Sequence, residues 1–114
     1  MQRTTITNAE PAGERLHELR PASNVKPMNS DLVSQCFHAL SEPTRIRILE
    51  LLKTNESCVQ DMIAALNISQ SHLSFHLKTL KEAGLVTANK RGRFVYYRLN
   101  VDQFGVLETY LSGY

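Results

Sequence analysis

The 114-residue chain predicts a mainly α-helical domain with a small β-hairpin, in the order ααααββα, and three observations carry that prediction. From Asp31 onward, apolar residues recur at helical spacing in stretches separated by capping residues. Two of these stretches are short and joined only by Asn67-Ile68, the spacing of a helix-turn-helix. After Gly84 the period changes, and Leu85-Val86 and Phe94 to Leu99, the latter rich in aromatic and β-branched residues, flank a glycine turn.

The length suits one domain with a single modest core. Residues 1–29 hold Pro11, Pro21, Pro27 and Gly13, with Leu16 and Leu19 as the only helical hint, and are expected to form a flexible N-terminal arm ahead of a domain spanning 30–114. Leu32, Val33, Cys36, Phe37 and Leu40 define a first helix ending near Leu40. Ser41 is expected to cap a second helix, with Pro43 in its first turn and Ile46, Ile48, Leu49, Leu51 and Leu52 making it the central core helix. Past Thr54-Asn55-Glu56, Ser57 and Gln60 fit a capping box that opens a third helix bearing Val59, Met62, Ile63 and Leu66. Ser69 caps a fourth helix with the apolar stripe Leu73, Leu77 and Leu80, stopped by Gly84. Beyond the hairpin, Val101 to Tyr110 reads as a closing helix with little left in the monomer to pack against, so the first and last helices are expected to pair with a second copy.

Charge is segregated. From Asn67 to Asn100, Lys78, Lys81, Lys90, Arg91, Arg93 and Arg98 face Glu82 alone, a net +5, whereas the remainder sets seven Lys/Arg against ten acids, a net −3. Such asymmetry favours a polyanionic partner. Opposite the Leu73/Leu77/Leu80 stripe, the fourth helix presents Ser71, Ser74, Phe75, Lys78 and Glu82, with Gln70 at its tip beside Ser69. Gln pairs with adenine, Ser with either kind of base edge, Phe packs on a thymine methyl and Lys reaches phosphate, so this face suits a DNA major groove. The hairpin turn Lys90-Arg91-Gly92-Arg93 supplies cations for the flanking backbone, and Tyr96 or Tyr97, on opposite faces of the sheet, a phosphate donor. A solvated helix face and a solubilising basic turn are the plain alternatives, which an exposed Phe75 argues against. His72 and His76 stand at i, i+4 without a third ligand nearby, and suit structural or phosphate-contacting roles better than a metal.

Ala39 to Leu49 (ALSEPTRIRIL), Ser69 to Leu80 (SQSHLSFHLKTL), Ala83 to Val86 (AGLV), and Arg91-Gly92-Arg93 followed by Tyr96-Tyr97-Arg98-Leu99 together resemble the ArsR/SmtB family of winged helix-turn-helix repressors, over about Asp31 to Tyr110. The resemblance implies a homodimer that binds double-stranded operator DNA of inverted-repeat symmetry and leaves it on meeting an inducer, often a metal or metalloid ion. One family sensing site lies at the start of the third helix, where this chain reads Glu56-Ser57-Cys58-Val59-Gln60-Asp61-Met62. The resemblance therefore makes Cys58 and Asp61, which share a helix face, candidate ligands, with Gln60 where the family places a second cysteine. Members with one cysteine here complete the set from the partner's arm; this arm offers His17 and no cysteine, which leaves a four-ligand zinc set short. The family's other site, on the last helix, keeps only Asp102, because no histidine follows His76. Arsenite or antimonite takes two or three thiolates, and the chain's thiols are Cys36 and Cys58. Cys36, on the apolar side of the first helix, reads first as a small buried core or interface residue. The signal is thus left open among arsenite or antimonite, a divalent metal such as zinc, thiol oxidation, or no ligand.

Two cysteines are too few for a disulfide framework, and the chain has neither a spanning apolar run nor an apolar secretory leader, so a cytoplasmic protein with no membrane partner is expected. No nucleophile-base-orienter set, P-loop or metalloprotease motif supports an enzyme, and His38, His72 and His76 lack a catalytic partner in sequence. The other reading is a winged helix that docks an acidic protein partner, which predicts no sequence-specific duplex binding.

Overall fold

A computed structural model describes residues 24–114; residues 1–23 of the expected arm, with Leu16, His17 and Leu19, lie outside the described residues. The chain order is α1 (Ser30–Ala39), α2 (Pro43–Leu52), β1 (Ser57–Cys58), α3 (Val59–Leu66), α4 (Gln70–Glu82), β2 (Val86–Arg91), β3 (Phe94–Leu99) and α5 (Val101–Leu111). The winged helix-turn-helix is present, with one strand more than the hairpin expected.

Asn29 opens α1 by accepting the Leu32 amide at 2.9 Å, and Leu32, Cys36 and Ala39 fill its inner face while Phe37 stays exposed. The cap of α2 is Glu42 and not Ser41. Its carboxylate accepts the Thr44 and Arg45 amides at 2.8 and 3.2 Å, and Pro43 follows where a missing N–H costs nothing. A charged acceptor serving two orphan donors outcompetes a neutral hydroxyl, and the Ser41 hydroxyl instead donates to the His38 carbonyl at 2.7 Å, closing the end of α1. Ile48, Leu49 and Leu52 make α2 the core helix as expected, although Ile46 faces outward and Arg45 is buried.

The Ser57–Gln60 capping box does not form. Ser57 and Cys58 are extended and pair antiparallel with Tyr97 and Tyr96, so Cys58 takes the N-cap place of α3 without a side-chain cap bond. The ladder along β3 satisfies backbone groups that a capping side chain would otherwise have served. The sheet order is β1-β3-β2.

Asn67, in the left-handed region at φ 55°, ends α3, and Ser69 caps α4 by accepting the His72 amide at 3.2 Å. Leu73, Leu77 and Leu80 are buried as their spacing predicts. At the other end Leu85 donates to the Leu80 carbonyl and Gly84 to Lys81, a Schellman stop that needs the positive φ (79°) of Gly84. A Cβ on Gly84 would also sit 3.4 Å from the Gln103 side chain. The first strand begins at Val86, one residue later than expected, because Leu85 completes this stop.

Arg91 pairs with Phe94, so the turn is the two residues Gly92-Arg93, with Gly92 at φ 64°; Lys90 and Arg91 belong to β2. A glycine at the first turn position matches the twist of a tight hairpin. Tyr97 packs on the core and Tyr96 faces the other way.

The closing helix is better anchored than the sequence suggests: Gln103 and Leu107 are buried against the core, while Val101, Leu111 and Tyr114 remain exposed. Gln103 clasps the start of the described chain, its Oε1 accepting the Lys26 amide at 2.7 Å and its Nε2 donating to the Lys26 carbonyl at 2.9 Å. Asn100 adds bonds to the Asn24 and Gly84 carbonyls, and Lys26 Nζ donates to the last carbonyl of α4, that of Glu82, at 2.9 Å. Residues 24–29, at the end of the expected arm, are thereby bound to the domain. Among the described residues no helix is long and apolar enough to cross a membrane.

Candidate nucleic-acid interface

With one stripe of α4 committed to the core, its other face is free. Gln70, Ser71, His72, Ser74, Phe75 and Lys78 are all exposed. Phe75 leaves 61% of its surface to solvent on a helix whose core positions leave 2% or less, a cost in apolar exposure that packing among the described residues does not relieve. Ser69 is occupied with the cap and lies 3.3 Å from the Ser71 hydroxyl. Lys78 is 3.9 Å from Glu82, both well exposed, a pair too weak to hold the lysine back from a phosphate.

Lys90 and Arg93 are exposed at the tip of the hairpin. Arg91, by contrast, is engaged twice: its guanidinium hydrogen-bonds the Glu56 carboxylate and lies 4.0 Å above the Tyr96 ring. Glu56 precedes β1, and Tyr96 is the β3 partner of Cys58, so wing and third-helix segment share one small cluster. Counting charges along the sequence hides this contact, because Glu56 and Arg91 stand 35 residues apart.

The two histidines separate. His72 is solvent-exposed, whereas the half-buried His76 has Nδ1 3.0 Å from Arg45 Nη1 and 3.9 Å from Glu42 Oε1. Burial, together with the nearby Arg45 and His72, holds its pKa below the ordinary imidazole value against the opposing pull of Glu42. Arg45, 4% exposed, also donates from Nε to the Ala39 carbonyl at 2.9 Å and from Nη2 to the His38 carbonyl at 3.2 Å. Nothing in the spacing of Arg45, one of two arginines on α2, announces such a role.

The candidate metal ligands are not gathered. Cys36 is fully buried, and its thiol donates to the Ala83 carbonyl at 3.6 Å; burial pushes its pKa up. Cys58 is 6% exposed at the edge of the sheet, and Asp61 lies on the solvent side of α3. Among the described residues no three His, Cys, Asp or Glu side chains form a metal-holding group. One chain's described donors therefore do not fit a resident zinc or a three-thiolate metalloid site.

A groove-width helix with a free polar face, a preceding short helix at helix-turn-helix spacing and a basic hairpin define a winged helix-turn-helix DNA-binding regulator. Residues 42–88 match the model of the bacterial regulatory protein, arsR family. The chain is 40% identical over 68 residues to the transcriptional repressor SdpR of Bacillus subtilis, 60% of this chain and 76% of that one. It is 42% identical over 69 residues to the HTH-type transcriptional repressor SmtB of Mycobacterium tuberculosis, 60% of this chain and about half (51%) of that one. Among solved structures, a possible transcriptional regulator for arsenical resistance superposes with a TM-score of 0.60 at 41% identity, covering 67% of this chain and 79% of the other. The chain belongs to the arsR family of bacterial regulatory proteins.

Proposed function

We propose that the protein is a cytoplasmic, homodimeric repressor that binds an inverted-repeat operator, with α4 of each copy in a major groove and the wing on flanking backbone. The observation that carries this reading is the exposed row Ser71, Ser74, Phe75 and Lys78, opposite a fully buried stripe on the same helix. Gln70, Ser71, Ser74 and Phe75 are the residues that meet base edges, with Ser69 at the helix start; His72, Lys78, Lys90, Arg93 and Tyr96 face phosphates, and Arg91 joins them on leaving Glu56. Exposed Phe37 on α1 and Val101 and Leu111 on α5 support the first and last helices as the pairing surface. A footprint on the promoter fragment upstream of the protein's own gene is expected to show two protected major-groove patches about 34 Å apart on one face of the duplex. A single patch contradicts the dimer.

Arg91 is the wing cation held in reserve. Replacing Glu56 with Gln removes its competitor, so Glu56→Gln is expected to steepen the salt dependence of DNA binding by about 0.9 per chain in log–log slope. Folding stability is expected to change by less than about 1 kcal/mol, as for an exposed ion pair. An unchanged slope in a salt titration means that Arg91 gains no phosphate contact on losing Glu56, and overturns its reading as a reserve cation.

The inducing signal, on this reading, is a thiol-reactive agent acting through sulfur at Cys58; similarity to a protein named for arsenical resistance supports thiophilic chemistry. Cys58 is buried in β1, so any adduct there must displace the strand from Tyr96 and disturb the Arg91 stack that rests on the same ring. Cys58→Ser is expected to keep DNA binding and to lose release by a thiol-reactive agent. Release that survives the substitution places the sensor elsewhere.

A further inference from the structure

Arg45 is a buried cation that no surface role explains. Its three donor nitrogens reach the Ala39 carbonyl, the His38 carbonyl and His76 Nδ1, at 2.9, 3.2 and 3.0 Å. The two carbonyls close α1, the arginine belongs to the first turn of α2, and His76 stands in the middle of α4 between the core stripe and Phe75. A guanidinium only donates, so His76 Nδ1 must accept and its proton must sit on Nε2. The ring also meets Phe75 edge-on with centroids 5.3 Å apart, which joins the buried arginine to the most exposed apolar group of the groove-facing row.

We infer that Arg45 and neutral His76 are positioning residues that fix the roll of α4 against α1 and α2, so that protonating His76 weakens operator binding. This inference rests on the DNA-binding reading above. A proton on Nδ1 turns the acceptor into a donor pointing at another donor, and places a cation 3.0 Å from a buried one. The charged or titratable groups facing the ring are Arg45 and Glu42 from α2 and His72 from α4 itself; α1 contributes the His38 and Ala39 carbonyls through Arg45. Glu42 is the one group that would welcome the proton, but its Oε1 already accepts two backbone amides of α2, and turning towards the ring would uncap that helix. The sign separates positioning from contact. A histidine that touched phosphate would bind DNA more tightly when charged, whereas this one is expected to bind less tightly.

The experiment compares the wild-type chain with His76→Asn, whose side-chain oxygen accepts from Arg45 at the place of Nδ1 and does not titrate. Affinity for the own-promoter duplex is measured from pH 8 to pH 5.5. The other three histidines are common to both proteins, so the ratio isolates position 76. Near pH 8 the two are expected to bind within about threefold, and toward pH 5.5 the wild type to weaken by about tenfold relative to His76→Asn. A ratio independent of pH, or one that moves the other way, overturns the inference. Should His76→Asn fold poorly, imidazole nitrogen resonances of the wild type decide instead: they must show His76 in the Nε2–H form at pH 7, and the Phe75 and Lys78 amides must shift with the His76 midpoint. An Nδ1–H ring, or amides indifferent to that midpoint, equally overturns it. A wild-type chain that binds no duplex defeats the DNA-binding reading, while the resonances still test the pair.

Discussion

A protein carrying Lys78→Ala, Lys90→Ala and Arg93→Ala together is expected to fold normally and to lose most of its affinity for every duplex, cognate or not. All three side chains are exposed, and the single ion pair among them, Lys78 with Glu82 at 3.9 Å, is a surface pair of small worth. Removing them therefore leaves the core of Leu73, Leu77, Leu80 and their neighbours untouched. In a dimer the change deletes six cationic contacts, and at about 0.9 per phosphate contact the log–log salt slope should fall by about 5. A salt titration of wild type and variant reads this directly. Equal slopes mean that these residues do not meet phosphate, and that the segregated charge between Asn67 and Asn100 serves some other partner.

Replacing Gln103 with Ala is expected to cost about 2 kcal/mol of stability. The side chain is fully buried, and both ends of its amide are spent on one residue, accepting the Lys26 N–H and donating to the Lys26 carbonyl. Truncation strands both backbone groups and opens space beside Gly84, whose would-be Cβ lies 3.4 Å from the Gln103 chain. For a domain of this size the midpoint of thermal unfolding should drop by about 10 °C. The clasp also supports function at one remove, since residue 26 carries the ammonium that caps the C-terminal end of α4. A midpoint unchanged by Gln103→Ala means that the clasp contributes nothing to the fold.

These expectations draw on parts of the chain that differ in how openly the sequence displays them. The stripe Leu73, Leu77, Leu80, the Ser69 cap and the Gly84 stop are local patterns, each decided by residues within one or two turns, and all three stand as read. Expectations fail where a distant partner decides, with one local exception at Ser41. Ser57 looks like a cap until β3 offers a ladder to it from 40 residues away in sequence, Tyr97 opposite Ser57, and a strand of two residues carries too little alternation to announce itself. Ser41 has the better reputation as a cap than Glu42, but the geometry of the α1–α2 turn gives the hydroxyl a nearer carbonyl and the carboxylate two amides. Arg45, Gln103 and the Glu56–Arg91 pair are polar groups whose partners lie 31, 77 and 35 residues away, and a pattern of apolar spacing is blind to all of them.

The same division runs through the site. The exposed row of α4 is legible because exposure there is the complement of a visible stripe, and the wing because glycine and cations mark its turn. The sensing segment is less so. The sequence offers Cys58, Asp61 and Cys36 as donors, whereas the fold puts Cys36 in the core bonded to the Ala83 carbonyl, Cys58 in a strand and Asp61 in solvent. What ties the segment to the wing is the sheet itself, through Cys58 opposite Tyr96 and Arg91 stacked on that ring.

The central claim is that α4 reads a specific duplex. The measurement that tests it most directly is the ratio of affinities, at about 150 mM salt, for the duplex upstream of the protein's own gene and for a scrambled duplex of equal length and composition. A ratio of about 10³ or more is expected for base-edge contacts from two recognition helices. A ratio near one, with binding that disappears alike for both duplexes as salt rises, contradicts the account and leaves only a basic surface.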